Sequence, residues 1–155
     1  MGLDYAKTIE KWGIFEVTIS GPKEGNPFCD QWIKGTFCCK NEKKTVDGFY
    51  DGDGAYKVRF MPSFAESYTF EVTGSAVDGE VLTGEFQVTP AGEGNHGSIR
   101  VANTYHFAYE DGTPYYSIGT TCYVWELQSD ELIAQTLETL KNSAFNKIRF
   151  CVFPK

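Results

Sequence analysis

Residues 129–155, SDELIAQTLETLKNSAFNKIRFCVFPK, decide how the rest of the chain is read. Ser129 suits a helix N-cap, and Asp130 and Glu131 follow in the first turn, where carboxylates complement the helix dipole. Ile133, Leu137 and Leu140 fall at i, i+4 and i+7 and give one apolar helical face. Lys141 sits near the helix end. The run from Phe145 to Phe153 then reads as a nearly continuous apolar strand broken by Arg149. Upstream, Gly119–Trp125 (GTTCYVW) is rich in Thr, Tyr and Val and reads as a strand. Strand, helix of about a dozen residues and strand make a βαβ unit. A buried parallel strand needs neighbours on both sides. None follows residue 155, so the expectation is an incomplete second domain of α/β character.

The preceding residues read as all-β. Residues 1–11 look like a polar lead-in. From Trp12 to Ser20 the chain alternates, with Phe15, Val17 and Ile19 on one face. Gly21-Pro22 ends that strand. Phe28 to Lys40 reads as a second strand and Val46 to Tyr50 as a third, joined by a polar tip at Asn41–Lys44. Asp51-Gly52-Asp53-Gly54 is the strongest turn signal, since Asp-Gly pairs favour positive φ. A calcium loop is the sharper reading of those carboxylates, but it needs further ligands and a closing Glu, and Ala55–Val58 supplies none. Tyr56, Val58 and Phe60 then alternate inward, as do Tyr68, Phe70 and Val72. Asp78-Gly79 turns the chain into Thr83–Thr89. About six short strands predict an antiparallel sandwich. Pro90–Gly97 (PAGEGNHG) is Gly-rich and reads as a domain boundary. Beyond it, Ile99–Val101 and His106–Tyr109 are short strands, Glu110–Pro114 is a hairpin turn, and Tyr115–Ile118 returns.

Bulk composition narrows the function classes. The chain carries 41% hydrophobic residues, including 12 Phe, 9 Tyr and 3 Trp, so it is not a disordered segment. The aromatics suit a β-rich core and would also suit sugar stacking. A net charge of −7 argues against nucleic acid and anionic membrane surfaces as partners. No apolar run approaches the ~20 residues of a membrane span, and the N-terminus lacks a signal-peptide apolar region. The five cysteines, Cys29, Cys38, Cys39, Cys122 and Cys151, are odd in number and follow no metal spacing. They are expected to be free, mostly buried thiols in a reducing, cytoplasmic setting. No cofactor and no metal site is expected.

Several motifs resemble known families. Glu10–Glu16 (EKWGIFE), Phe49–Gly54 (FYDGDG), Tyr56–Pro62 (YKVRFMP) and Gly94–Gly97 (GNHG) resemble an N-terminal domain family of unknown function, DUF5060-like. That family is an immunoglobulin-like sandwich placed ahead of a glycoside-hydrolase barrel. Val101–Phe107 (VANTYHF), Asp111–Pro114, Gly119–Trp125 and Thr136–Pro154 resemble the start of an apiosidase-like, DUF4038-like (β/α)₈ barrel. The resemblance runs from about residue 8 to 155. It implies a mostly β chain: a sandwich over 8–97, then over 98–155 an incomplete βαβ piece of the barrel. It also implies a parent protein that hydrolyses plant-type glycosidic bonds with a pair of carboxylates.

The carboxylates here fall in turns and on the helix surface, so no catalytic acid is assigned and the pair is expected beyond residue 155. The resemblance carries over one residue, Arg149, and position along the chain adds Tyr123, Trp125 and His106 as substrate-side candidates. Arg149 would lie beneath the catalytic carboxylates and hold one ionised. Alternatively, it is an end-of-strand arginine reaching solvent. Tyr123 and Trp125 fall at the end of the first barrel strand, where a platform for sugar or simple edge packing is needed. His106 either faces substrate or caps a turn. The expected partners are a carbohydrate substrate and the remainder of the barrel. The alternative reading is a non-catalytic carbohydrate-binding module that presents Trp12 and Trp32 on one face. A third is a docking domain that binds no sugar.

Overall fold

The computed structural model describes residues 2–152. The chain divides into two compact units, the first ending at Ser98 and the second beginning at Ile99. The chain is mostly β, with several antiparallel pairings, and the second unit adds a helix.

In the first unit, nine strands form two sheets among the described residues. They are β1 (Leu3–Tyr5), β2 (Thr8–Glu10), β3 (Phe15–Ser20), β4 (Ile33–Cys38), β5 (Lys43–Asp47), β6 (Phe49–Tyr50), β7 (Ala55–Phe60), β8 (Ser67–Gly74) and β9 (Leu82–Thr89). One sheet has the order β1-β3-β7-β6 and the other β2-β9-β8-β4-β5. Alternation places one side chain in two against the facing sheet. Phe15, Val17 and Ile19, Tyr56, Val58 and Phe60, and Tyr68, Phe70 and Val72 are all buried, as their spacing predicts. Phe86 and Val88 complete the set. Rings from the two sheets meet face to face: Phe15 stacks on Phe86 at 3.7 Å and Phe37 on Phe60 at 4.3 Å. Such pairs add about 0.5–1.5 kcal/mol each beyond simple burial.

The structure corrects the sequence reading in four places here. The polar lead-in is two short strands. Leu3 pairs with Ile19 on one sheet, and Thr8 pairs with Gln87 on the other. Tyr5 packs edge-on against Phe70 at 5.0 Å, so tertiary contacts, not local alternation, make these strands. Because β2 runs parallel to β9, the second sheet is mixed rather than wholly antiparallel. Pro27–Asp30 is a single helical turn, α1, with Pro27 at its start, so β4 begins only at Ile33. The expected strand Val46–Tyr50 is two strands in different sheets. Gly48 lies between them and donates its N–H to the Ile33 carbonyl at 2.8 Å. A Cβ there would lie 2.5 Å from Ile33 Cγ2 and 2.6 Å from the Lys57 carbonyl, so only glycine lets the chain cross.

Asp51–Gly54 is a turn, with Asp53 at φ 49° and Gly52 at φ 95°. Asp51 is engaged by Lys57 at 2.7 Å. Among the described residues no group of three His, Cys, Asp or Glu side chains could hold a metal ion. The cysteines are free, but none is buried: Cys29 is exposed and the other four are half-buried. The Gly-rich segment is pinned. Glu10 accepts the Gly92 N–H at 2.7 Å and the Asn95 side-chain amide at 2.9 Å.

The second unit contains a three-stranded antiparallel sheet, β10 (Ile99–Ala102), β11 (His106–Tyr109) and β12 (Pro114–Tyr115). It also contains β13 (Gly119–Thr121), α2 (Asp130–Lys141) and β14 (Lys147–Arg149). β13 and β14 pair in parallel, Gly119 against Lys147 and Thr121 against Arg149, so the strand–helix–strand unit is present. Ser129 caps α2 by accepting the Leu132 N–H at 3.4 Å. β13 is shorter than expected, because the chain turns into a 3-10 helix at Trp125–Leu127. β14 is likewise shorter than the run Phe145–Phe153, whose last residue lies outside the described residues. The predicted apolar helical face is only partly covered: Ile133 and Leu140 are half-buried, while Leu137 is 49% exposed.

Candidate functional site

Parallel pairing brings the ends of β13 and β14 to the same edge. The ladder continues past the strands. Cys122 donates its N–H to the Arg149 carbonyl at 2.9 Å, and Cys151 donates to the Tyr123 carbonyl at 3.0 Å. This register sets Tyr123 beside Arg149, whose guanidinium carbon lies 5.6 Å from the tyrosine ring centroid. That is a cation–π contact between exposed groups, worth about 0.5–1 kcal/mol. Arg149 is exposed, which matches the alternative of an end-of-strand arginine reaching solvent: it ends β14, and the pleat turns it away from the half-buried Ile148. Trp125 stands next to this pair, with its ring edge-on to Phe150 at 6.1 Å.

Two polar atoms at this edge lack partners. Trp125 Nε1 and Glu126 Oε2 are each buried without a hydrogen bond. Buried polar groups are normally paired, at a cost of about 1–3 kcal/mol when they are not. Glu126 was missed from the sequence. Only its place just after the strand end could have singled it out.

His106 is not part of this cluster. It is exposed at the start of β11, opposite Ala102. There it lines a concavity of about 720 Å³ together with Arg100, Tyr105, Phe107 and Tyr116. Tyr105 and Tyr116 are 88% and 75% exposed, so this hollow offers aromatic faces to solvent. One further residue the sequence did not reveal is Asn146. Its side chain accepts the Ile118 N–H at 2.9 Å and donates to the Tyr116 carbonyl at 2.8 Å. It also accepts the Tyr115 hydroxyl at 3.1 Å. It thereby ties the approach to β13 to the start of β14.

Trp12 and Trp32, the candidates for a binding face in the first unit, both lie outside its core. Trp12 is half-buried in a turn at φ 64°, with Lys11 Nζ 3.9 Å from its ring centroid. Trp32 is 53% exposed.

Known proteins resemble parts of this chain. A family described as a domain of unknown function, DUF5060, matches residues 8–75. A solved structure of a Bacteroides vulgatus protein described as a "putative glycoside hydrolase" is 41% identical over 97% of this chain, with a TM-score of 0.90. The chain spans 29% of that protein's length. A solved engineered protein is 16% identical over 58% of this chain and 20% of its own, with a TM-score of 0.39. No curated protein matches the chain.

Proposed function

We propose that this chain is the N-terminal portion of a glycoside hydrolase of the apiosidase-like, DUF4038-like kind. In this reading residues 8–97 are an immunoglobulin-like β-sandwich serving as a structural accessory domain. Residues 98–155 are the first strand–helix–strand portion of a (β/α)₈ barrel. The observation that carries it is the 41% identity, across nearly the whole chain, to the Bacteroides vulgatus protein. The parallel β13–β14 pair supports it, because such barrels place their chemistry at the C-terminal ends of parallel strands. Tyr123, Trp125 and Arg149 stand at that end.

Their proposed roles follow from chemistry. Trp125 and Tyr123 offer ring faces to a sugar, and Tyr123 a hydroxyl as well. Arg149, always charged, would steady a carboxylate of the barrel's acid pair, which lies beyond residue 155. His106 is assigned to the substrate side because it lines the concavity with Tyr105 and Tyr116. The 155-residue chain alone is expected to be inactive. The test is release of reducing ends from plant polysaccharides by a longer protein that contains the whole barrel. Activity there, lost on Arg149→Ala with the fold intact, supports the reading. A folded longer protein that cleaves no glycan sinks it.

A further inference from the structure

The first unit holds a small aromatic hollow that no role above uses. It lies between α1 and β6 and has a volume of about 160 Å³. Phe28, Gln31, Trp32 and Tyr50 line it together with Phe49, whose ring has the Arg59 guanidinium carbon 5.0 Å from its centroid. Phe28 is 74% exposed, unusual for a phenylalanine, and meets Tyr50 edge-on at 5.0 Å. Exposed aromatics gathered around a concavity mark binding surfaces more often than accidents of composition.

Two observations narrow the occupant. Gln31 lines the hollow, and its side-chain amide carries both a donor and an acceptor, which a hydroxyl-bearing ligand can use and a purely apolar one cannot. The hollow is also below the ~300 Å³ at which pockets take drug-sized ligands, so it fits a single small ring. A pyranose meets both conditions, with C–H faces for the aromatic rings and hydroxyls for the glutamine.

The walls are held in place before any ligand arrives. Trp32 donates its backbone N–H to Ser75 Oγ at 3.0 Å, and its carbonyl accepts the Ala76 N–H at 3.3 Å. The α1 turn is tied by Asp30, whose carboxylate accepts the Asn26 N–H at 3.0 Å. Tyr50 is fixed through its hydroxyl, which accepts the Gly54 N–H at 3.1 Å. Preorganised walls lower the entropic cost of binding.

We infer that the hollow lined by Phe28, Gln31, Trp32, Phe49 and Tyr50 binds one sugar ring of a glycan. The site is separate from Tyr123, Trp125 and Arg149 and shares no residue with them. It stands or falls independently of the proposed hydrolase reading.

The test uses the whole 155-residue chain and four free sugars as probes: glucose, galactose, xylose and arabinose. Saturation-transfer NMR reads which sugar protons touch the protein, and tryptophan fluorescence reads the affinity. At least one sugar should bind in the millimolar range. Trp32→Ala should weaken it roughly tenfold, the order expected for losing one aromatic contact. Gln31→Ala should weaken it too, while Gln31→Glu, which keeps an acceptor, should retain binding. Circular dichroism melting of each variant checks that the fold survives. Phe28→Ala, on the exposed rim, provides a second variant if Trp32→Ala does not fold. No transfer to any of the four sugars overturns the inference. So does binding that is unchanged in both Trp32→Ala and Phe28→Ala. Concentration-dependent self-association abolished by Phe28→Ala would also overturn it, because the hollow would then be a protein contact.

Discussion

In the first unit fifteen hydrophobic side chains are buried in one cluster, from Phe15 to Val88. In the second, among the described residues, Ala108 alone is buried. Both units have regular hydrogen-bonded elements, so backbone pairing does not separate them. What differs is how their apolar faces are covered. The two sheets of the first unit cover each other, and Phe15, Phe37, Phe60, Phe70 and Phe86 form a continuous set of ring contacts. The second unit leaves Leu132 and Leu137 of α2, together with Phe145, Phe150 and Val152, between 42% and 86% exposed. Secondary structure with an uncovered apolar face gains little from burial, the dominant favourable contribution to folding.

The largest test of this contrast is truncation. Phe70→Ala empties a site that touches both sheets and should destabilise the first unit by about 3–5 kcal/mol. Leu137→Ala, at a half-exposed helix position, should change stability by no more than about 0.5 kcal/mol. Urea unfolding followed by circular dichroism measures both. Equal losses would break the contrast, as would equal amide-exchange protection in β8 and β14.

A smaller effect is expected at Gly48. The added methyl of Gly48→Ala would press on Ile33 and the Lys57 carbonyl where the chain changes sheets. Overpacking of this kind costs about 1–3 kcal/mol. The same change at Gly112, where no atom lies within 4 Å of the new Cβ, meets no clash, although its φ of 89° strains any side chain. Thermal melting of the two variants compares a packing cost in the covered unit with a backbone cost in the open one.

The smallest effect is electrostatic. Glu16 lies 2.6 Å from Arg59 and 3.4 Å from Lys57. The hydrogen bond from Arg59 is the main influence holding its carboxyl below the ordinary glutamate range. Burial opposes that shift, and Lys57 adds to it. A carboxyl whose folded pKa is depressed contributes stability above its unfolded value. That contribution is lost as pH falls through the folded value. The pair is partly exposed, so Glu16→Gln should cost about 0.5 kcal/mol at pH 7. The difference from the unmodified protein should vanish at strongly acidic pH, below the depressed carboxyl. Melting temperatures at the two pH values, repeated in high salt, would expose a contribution that is not ionic.

Much of the first unit could be read directly. Phe15, Val17 and Ile19, and likewise Tyr56, Val58 and Phe60, alternate with period two, and pleated strands send alternate side chains to one face. The helix over residues 130–141 was equally plain, from its cap and its 3.6-residue period. Three-residue strands such as Leu3–Tyr5 and Thr8–Glu10 are too short to show a period, and they exist because Ile19 and Gln87 lie opposite them. Nothing in VDGFY shows that Gly48 is a crossing between sheets. At the candidate site, Tyr123, Trp125 and Arg149 could be picked out by type and position. Which of the two readings of Arg149 holds, buried or reaching solvent, and the orphaned Glu126 oxygen could not be, since both depend on what surrounds them.

The sequence by itself determined which residues alternate, where the turns fall and where the helix starts. These are local properties, set by φ/ψ preference and side-chain period. Only the tertiary structure decided which faces are covered. Burial depends on residues distant in sequence, and a local pattern carries no record of whether a partner surface is there to meet it. The same physical reason separates Phe70, sealed between two sheets, from Leu137, which fits an apolar helical pattern yet is 49% exposed.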